Sequence, residues 1–127
     1  MNLARFQLPA LITSIALLTA CASMAQSAPA KVADGVLVGP NGMTLYTFDR
    51  DAGGKSACNG PCATNWPPLM AQSGATASGG DWSIVTRDDG GKQWAYKGKP
   101  VYFWAKDAKA GDRTGDGVNQ VWHLARP

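Results

Sequence analysis

Three kinds of side chain in this sequence can carry chemistry: a cysteine pair, one histidine and a series of aspartates. Cys58 and Cys62 bracket Asn-Gly-Pro. No His follows them, so the Cys-x-x-Cys-His haem attachment pattern is absent. The pair lies in a Gly-Pro turn and not at the start of a helix within a thioredoxin-like βαβ pattern, and nothing beside it in sequence lowers a thiol pKa, so catalytic redox chemistry is not indicated. In an oxidising compartment an even pair reads as a disulfide, which over so short a loop contributes about 2 kcal/mol.

Metal chemistry would draw on Asp112, Asp116 and His123. Asp112 to Gly117 places Asp at loop positions 1 and 5 and Gly at 6, as in a calcium loop. His123 stands where the bidentate Glu of such a loop belongs, and the predicted flanking elements are strands. A looser oxygen site would add Asp107. For a transition metal, His123 is the one imidazole, with Met43, Met70 and the cysteines as soft helpers. The expectation is no cofactor, with calcium or a transition metal at these residues as the competing reading. The remaining aspartates, Asp49 and Asp51 among them, follow turns, and no Ser-His-Asp or Gly-x-Ser-x-Gly pattern accompanies them. An enzyme is therefore not expected. Five tryptophans leave a third option, an exposed aromatic patch for a glycan or an envelope protein.

The compartment follows from the amino terminus. Residues 1–20 carry one cation, Arg5, and then a run from Leu8 to Ala20 that is almost wholly apolar and too short to span a bilayer. The run closes on Leu18-Thr19-Ala20-Cys21, which resembles the bacterial lipobox. That resemblance implies a lipid on the Cys21 thiol and a membrane lipid as partner. Ordinary cleavage after Ala25 is the alternative, giving a secreted protein. Ala22 is not the Asp that signals inner-membrane retention, so in a Gram-negative host the resemblance points to the outer membrane. Residues 21–32 read as a flexible tether.

What remains is one small domain, residues 33–127. The whole chain carries 12 Lys and Arg against 9 acidic residues. The surplus is too small and scattered for nucleic acid. All acidic residues are Asp, and abundant Gly accompanies them, a composition that favours turns over helix. Strands are expected at Val36–Val38, Met43–Phe48, Trp82–Arg87, Gln93–Tyr96, Val101–Ala105 and Gln120–Leu124, separated by Gly, Pro and Asn turns. Gln72 to Gly80 reads as a loop between halves.

Those halves are related. A shift of 56 positions carries Gly42 onto Gly98, Leu45 onto Val101, Tyr46 onto Tyr102, Phe48 onto Trp104, Asp51 onto Asp107, Ala52 onto Ala108 and Trp66 onto Trp122. Tyr46 and Phe48 share one strand face, as do Tyr102 and Trp104, so each pair is expected in an aromatic core layer, with the Asp setting a turn. The copies run over about residues 36–69 and 92–125.

Tyr46-x-Phe48-x-x-Asp51 and Tyr102-x-Trp104-x-x-Asp107 resemble the Tyr-x-[Phe/Trp/Tyr]-x-x-Asp motif of the bacterial lipoproteins described as a secreted repeat of unknown function. Ser56-x-Cys58-x-Gly60-x-Cys62-Ala63, Trp66-Pro67-Pro68-Leu69 and the Gly111 to Val118 loop before Trp122-His123 resemble them too. The expectation is an all-β domain, a small antiparallel sandwich or curled meander built from two related halves, after an N-terminal signal helix. Its role is read as binding or structural support in the cell envelope, with metal handling or electron transfer as the alternative.

Overall fold

A computed structural model describes Ala10, residues 28–77 and residues 80–127. The signal helix expected within residues 1–20, the lipid-attachment residue Cys21 and the tether as far as Ser27 lie outside the described residues. Among the described residues, no helix is long and apolar enough to cross a membrane.

Short strands and many turns dominate, as the Gly- and Asp-rich composition dictates. The first hairpin joins β1 (Lys31–Ala33) to β2 (Val36–Val38). β1 begins inside the stretch read as tether and ends one residue past it: its residues are all exposed, so no inward alternation announces it. β2 is wholly buried. The Gly39–Gly42 turn brings it back against Met43–Leu45 through a Val38–Thr44 bridge, with the Gly39 N–H donating to Met43 O at 2.9 Å and the Leu45 N–H to Leu37 O at 3.0 Å. β3 (Tyr46–Phe48) instead runs antiparallel to β7 (Trp122–Leu124), setting Thr47 opposite His123.

The second half repeats this plan with β4 (Trp82–Thr86), β5 (Lys92–Tyr96) and β6 (Lys99–Pro100) in one antiparallel sheet. Its Tyr segment does not form the continuous strand expected over Val101–Ala105. Tyr102 makes a bridge to Pro68 where its counterpart Tyr46 has a full ladder with Leu124. Pro67 and Pro68 stand opposite and have no N–H to donate, which ends the ladder. The Phe103 N–H still reaches Pro67 O at 2.7 Å.

The disulfide loop holds one element that periodicity missed, the five-residue helix α1 (Pro61–Asn65). Pro61 at its first turn is preset for helix and lacks a donor the helix would leave unused. One and a half turns are too few to show a 3.6-residue pattern.

Apolar burial divides into two layers. Leu37, Leu45, Leu69, Val101 and Ala125 form one. Tyr46, Cys58, Trp66, Tyr102 and Trp122 form the other. Each layer draws equivalent residues from both repeats: Leu45 with Val101 and Leu69 with Ala125 in the first, Tyr46 with Tyr102 and Trp66 with Trp122 in the second. Among the described residues the regular elements are thus mostly strands, in three small antiparallel sheets, with two repeat-like halves.

Candidate functional site

The repeated motif closes crosswise. Tyr46 and Tyr102 lie antiparallel at the centre, each donating its backbone N–H to the other's carbonyl, at 2.8 and 3.0 Å. The Tyr46 hydroxyl donates to Oδ2 of Asp107 at 2.7 Å, and the Tyr102 hydroxyl to Oδ2 of Asp51 at 2.7 Å. Each tyrosine therefore uses the aspartate of the other repeat. The second carboxylate oxygens hold the loops: Oδ1 of Asp51 accepts the Ala57 N–H at 2.7 Å. Oδ1 of Asp107 accepts the Thr114 N–H at 3.0 Å and the Thr114 hydroxyl at 2.6 Å.

Both phenol oxygens are further satisfied. Gly115 N–H donates to the Tyr46 oxygen at 3.2 Å. The Ser56 hydroxyl sits 2.6 Å from the Tyr102 oxygen, and with the phenol proton committed to Asp51, Ser56 is the donor. Buried Arg87 then donates to Ser56 Oγ at 3.0 Å, Gln93 Oε1 at 2.7 Å and Cys58 O at 2.6 Å. Burial pushes both phenols well above the usual tyrosine value, and proton donation to the aspartates adds to it. Burial also raises the Asp51 carboxyl, opposed by the Ala57 N–H, the Tyr102 hydroxyl and the Arg87 charge.

Around this hydrogen-bonded centre the aromatic rings form a column. Phe48 stacks on Trp122 at 4.2 Å, Trp122 on Trp66 at 3.8 Å, and Trp66 on Trp104 at 3.9 Å. Tyr46 meets the edge of Trp66 at 5.4 Å, and Tyr102 that of Trp122 at 5.2 Å. Every contact has its counterpart in the other repeat. The sequence model of a family described as "secreted repeat of unknown function" matches these two copies, over residues 29–70 and 83–126.

The chain belongs to this family.

No curated protein and no solved structure matches it. The family's description as secreted agrees with the export read from the amino terminus, and it assigns no activity.

In this secreted repeat the other residues singled out from sequence have separate tasks. Cys58 and Cys62 form the expected disulfide. Asp112 Oδ2 accepts the Ala108 and Lys109 N–H groups at 2.8 and 3.1 Å, which closes its turn. Asp116 Oδ1 accepts the Leu124 N–H at 3.3 Å. His123 Nε2 lies 2.7 Å from Asp49 Oδ2, both half-exposed. Asp112, Asp116 and His123 are not brought together. Among the described residues no three His, Cys, Asp or Glu side chains are grouped to hold an ion. Of the tryptophans, Trp66 and Trp122 are buried and Trp82, Trp94 and Trp104 are half-buried. The exposed large apolar side chains among the described residues are Val32 and Met70.

Among the described residues are two surface clefts that occupy related places in the two repeats. The larger, about 580 Å³, is bordered by Pro40, Leu69, Met70 and Trp94. The smaller, about 260 Å³, is bordered by Lys97, Lys99, His123, Ala125 and Arg126. Leu69 and Met70 correspond to Ala125 and Arg126, and Pro40 and Lys97 both lie in the turn after a hairpin strand. Repeat geometry thus yields one cleft without charged lining residues and one cationic cleft. Sequence reading missed the second, since Lys97 and Lys99 read as turn residues and Arg126 lies just past the second copy. The available signal was their neutral counterparts in the first repeat: Asn41, Met43 and Met70.

Proposed function

We propose that this secreted repeat is a non-enzymatic binding module of the cell envelope, tethered to a membrane by lipid on Cys21. The observation that carries the binding reading is the division of labour among polar groups. The tyrosines, the motif aspartates and the buried arginine are all engaged in internal hydrogen bonds. Among the described residues no buried polar side-chain atom lacks a partner. Such a network holds a scaffold rigid and leaves no poised acid or base inside it. The chemistry open to a partner lies in the two clefts, where equivalent positions differ in charge.

The anchoring half is tested by fractionation. Cys21→Ser should move the protein from membranes to the soluble fraction and abolish labelling by a radioactive fatty acid; a variant that stays membrane-bound defeats it. The binding half is tested by metal analysis and a visible spectrum of protein purified from its native membrane. A metal-free, colourless protein agrees with a binding module. One equivalent of calcium, copper or haem would replace it with the metal or electron-transfer reading.

A further inference from the structure

We propose that the cleft formed by Lys97, Lys99, His123 and Arg126 binds a phosphate monoester group. The inference rests on the reading of the domain as a binding module and names the chemistry of one of its clefts.

The cations come from two separate elements. Lys97 and Gly98 make the turn between β5 and β6, Lys99 opens β6, and Arg126 follows β7. All three line the same concavity with Thr47, Tyr96 and the His123–Asp49 pair. Among the described residues none of the three makes a salt bridge; the carboxylate in the cleft, Asp49, is held by His123 at 2.7 Å. With His123 neutral the cleft carries a formal charge of +2, three cations less Asp49, against +3 for the whole chain. A phosphate monoester brings about −1.5 to −2 at neutral pH, which matches that charge better than a single carboxylate does. Arg126 can engage two of its oxygens at once, and the lysines act as mobile point charges. Like-charged walls of a cleft also focus the potential toward its mouth. A volume of about 260 Å³ suits one such group with little attached, below the span usual for a whole drug-sized ligand.

Two further observations separate this from ordinary surface charge. First, the fold does not need the cations: repeat one places Asn41, Met43 and Met70 at the positions of Lys97, Lys99 and Arg126. Second, Lys97 sits at φ 48° and is followed by Gly98 at φ 80°, in a two-residue hairpin turn closed by the Tyr96–Lys99 pair. Such a turn favours Asn-Gly, and a lysine in the left-handed region is disfavoured there. Disfavoured backbone is commonly retained where a side chain serves a site. The Lys97 ammonium lies 5.4 Å from the centre of the Tyr96 ring, over the cleft wall.

The test exchanges the cations for the residues of repeat one, in a Lys97→Asn/Lys99→Met/Arg126→Met variant of the full-length protein. Inorganic phosphate is titrated at constant ionic strength while the amide and His123 ring resonances are followed by NMR. Saturable shifts at Lys97, Gly98 and His123 are expected, weakened at least about tenfold in the triple variant by the lost charge-assisted bonds. A Lys99→Arg variant, which keeps the charge, should bind and so exclude a folding defect. A second arm compares vesicles of phosphatidic acid with vesicles of phosphatidylglycerol. Cation-dependent preference for the monoester lipid would assign the source to a headgroup, and preference for soluble phosphate would assign it to a free ligand. Shifts that chloride reproduces at matched ionic strength, or that survive in the triple variant, overturn the site. Release of phosphate from glucose 6-phosphate, lost in the triple variant, would end the non-enzymatic reading and leave the site standing.

Discussion

Trp66 and Trp122, the same position in the two repeats, lie face to face with ring centres 3.8 Å apart and planes 4° apart. Their contact sits where the halves meet, and each ring carries a further aromatic ring on its outer face. Trp66→Ala or Trp122→Ala should each cost about 3–5 kcal/mol in urea unfolding, as for other buried aromatic truncations. The double variant should lose less than the sum, because both single changes remove the same interface. Strict additivity would show that the rings are not in contact in solution.

Crossed hydrogen bonding predicts paired effects. Tyr46→Phe leaves Asp107 Oδ2 without its donor and Tyr102→Phe does the same to Asp51 Oδ2, so each should destabilise by about 1–3 kcal/mol. Double-mutant cycles should couple Tyr46 to Asp107 and Tyr102 to Asp51, across the repeats. Coupling of Tyr46 to Asp51 instead would contradict the crossed arrangement.

The raised phenols give a pH dependence with a definite sign. A group whose folded pKa lies above its unfolded value stabilises fully below the unfolded value and loses that contribution as pH rises toward the folded one. For Tyr46 and Tyr102 the loss begins at pH 10.0, the ordinary tyrosine value. Stability should fall steeply above that pH, and phenolate absorbance from these residues should appear together with unfolding. Asp51, also raised, works the same way from pH 3.8 upward: protonating it relieves a buried charge, so acid should not unfold the domain through Asp51.

Gly115 tests how tightly the second loop approaches the centre. A Cβ there would stand 2.9 Å from Trp66 Cη2 and 2.9 Å from Tyr46 Cε1. Gly115→Ala should therefore cost about 1–3 kcal/mol by overpacking, and disturb the Tyr46 hydrogen bond in the same step. A melting temperature equal to that of the unaltered protein would show slack that the geometry does not have.

Arg87 ties the disulfide loop of the first repeat to a strand end of the second. Arg87→Lys keeps the charge and loses the planar fork that reaches Ser56, Gln93 and Cys58 together. A loss of about 2–3 kcal/mol is expected. Replacing both Cys58 and Cys62 with Ser should cost about 2 kcal/mol, the closure term of so short a loop. Arg87→Lys and the cysteine double change should be non-additive, since both loosen one loop.

Much of this was legible in the chain itself. The shift relating Tyr46 to Tyr102 exposed the repeat, and alternation put Tyr46 and Phe48 on one face, where both join the same layer. The Asp51 and Asp107 turn roles followed from their place after a strand. Which tyrosine each aspartate serves did not follow, because two equivalent copies give identical local patterns whether pairing is within a repeat or between repeats. β1 was hidden because an exposed edge strand buries no side chain to mark it. The strand expected after Val101 was broken by Pro67 and Pro68, residues distant in sequence but opposite in space.

The crossed Tyr–Asp pairs and exchanged strands bear on how the protein assembles. Cut between the copies, each half would carry a phenol lacking its carboxylate and a strand lacking its neighbour. The two pieces would then have to find each other as separate molecules, with stability set by their concentration. Joining them in one chain replaces that dependence with a fixed effective concentration of the order of millimolar for a short connection. A chain built this way keeps its two halves together however far it is diluted.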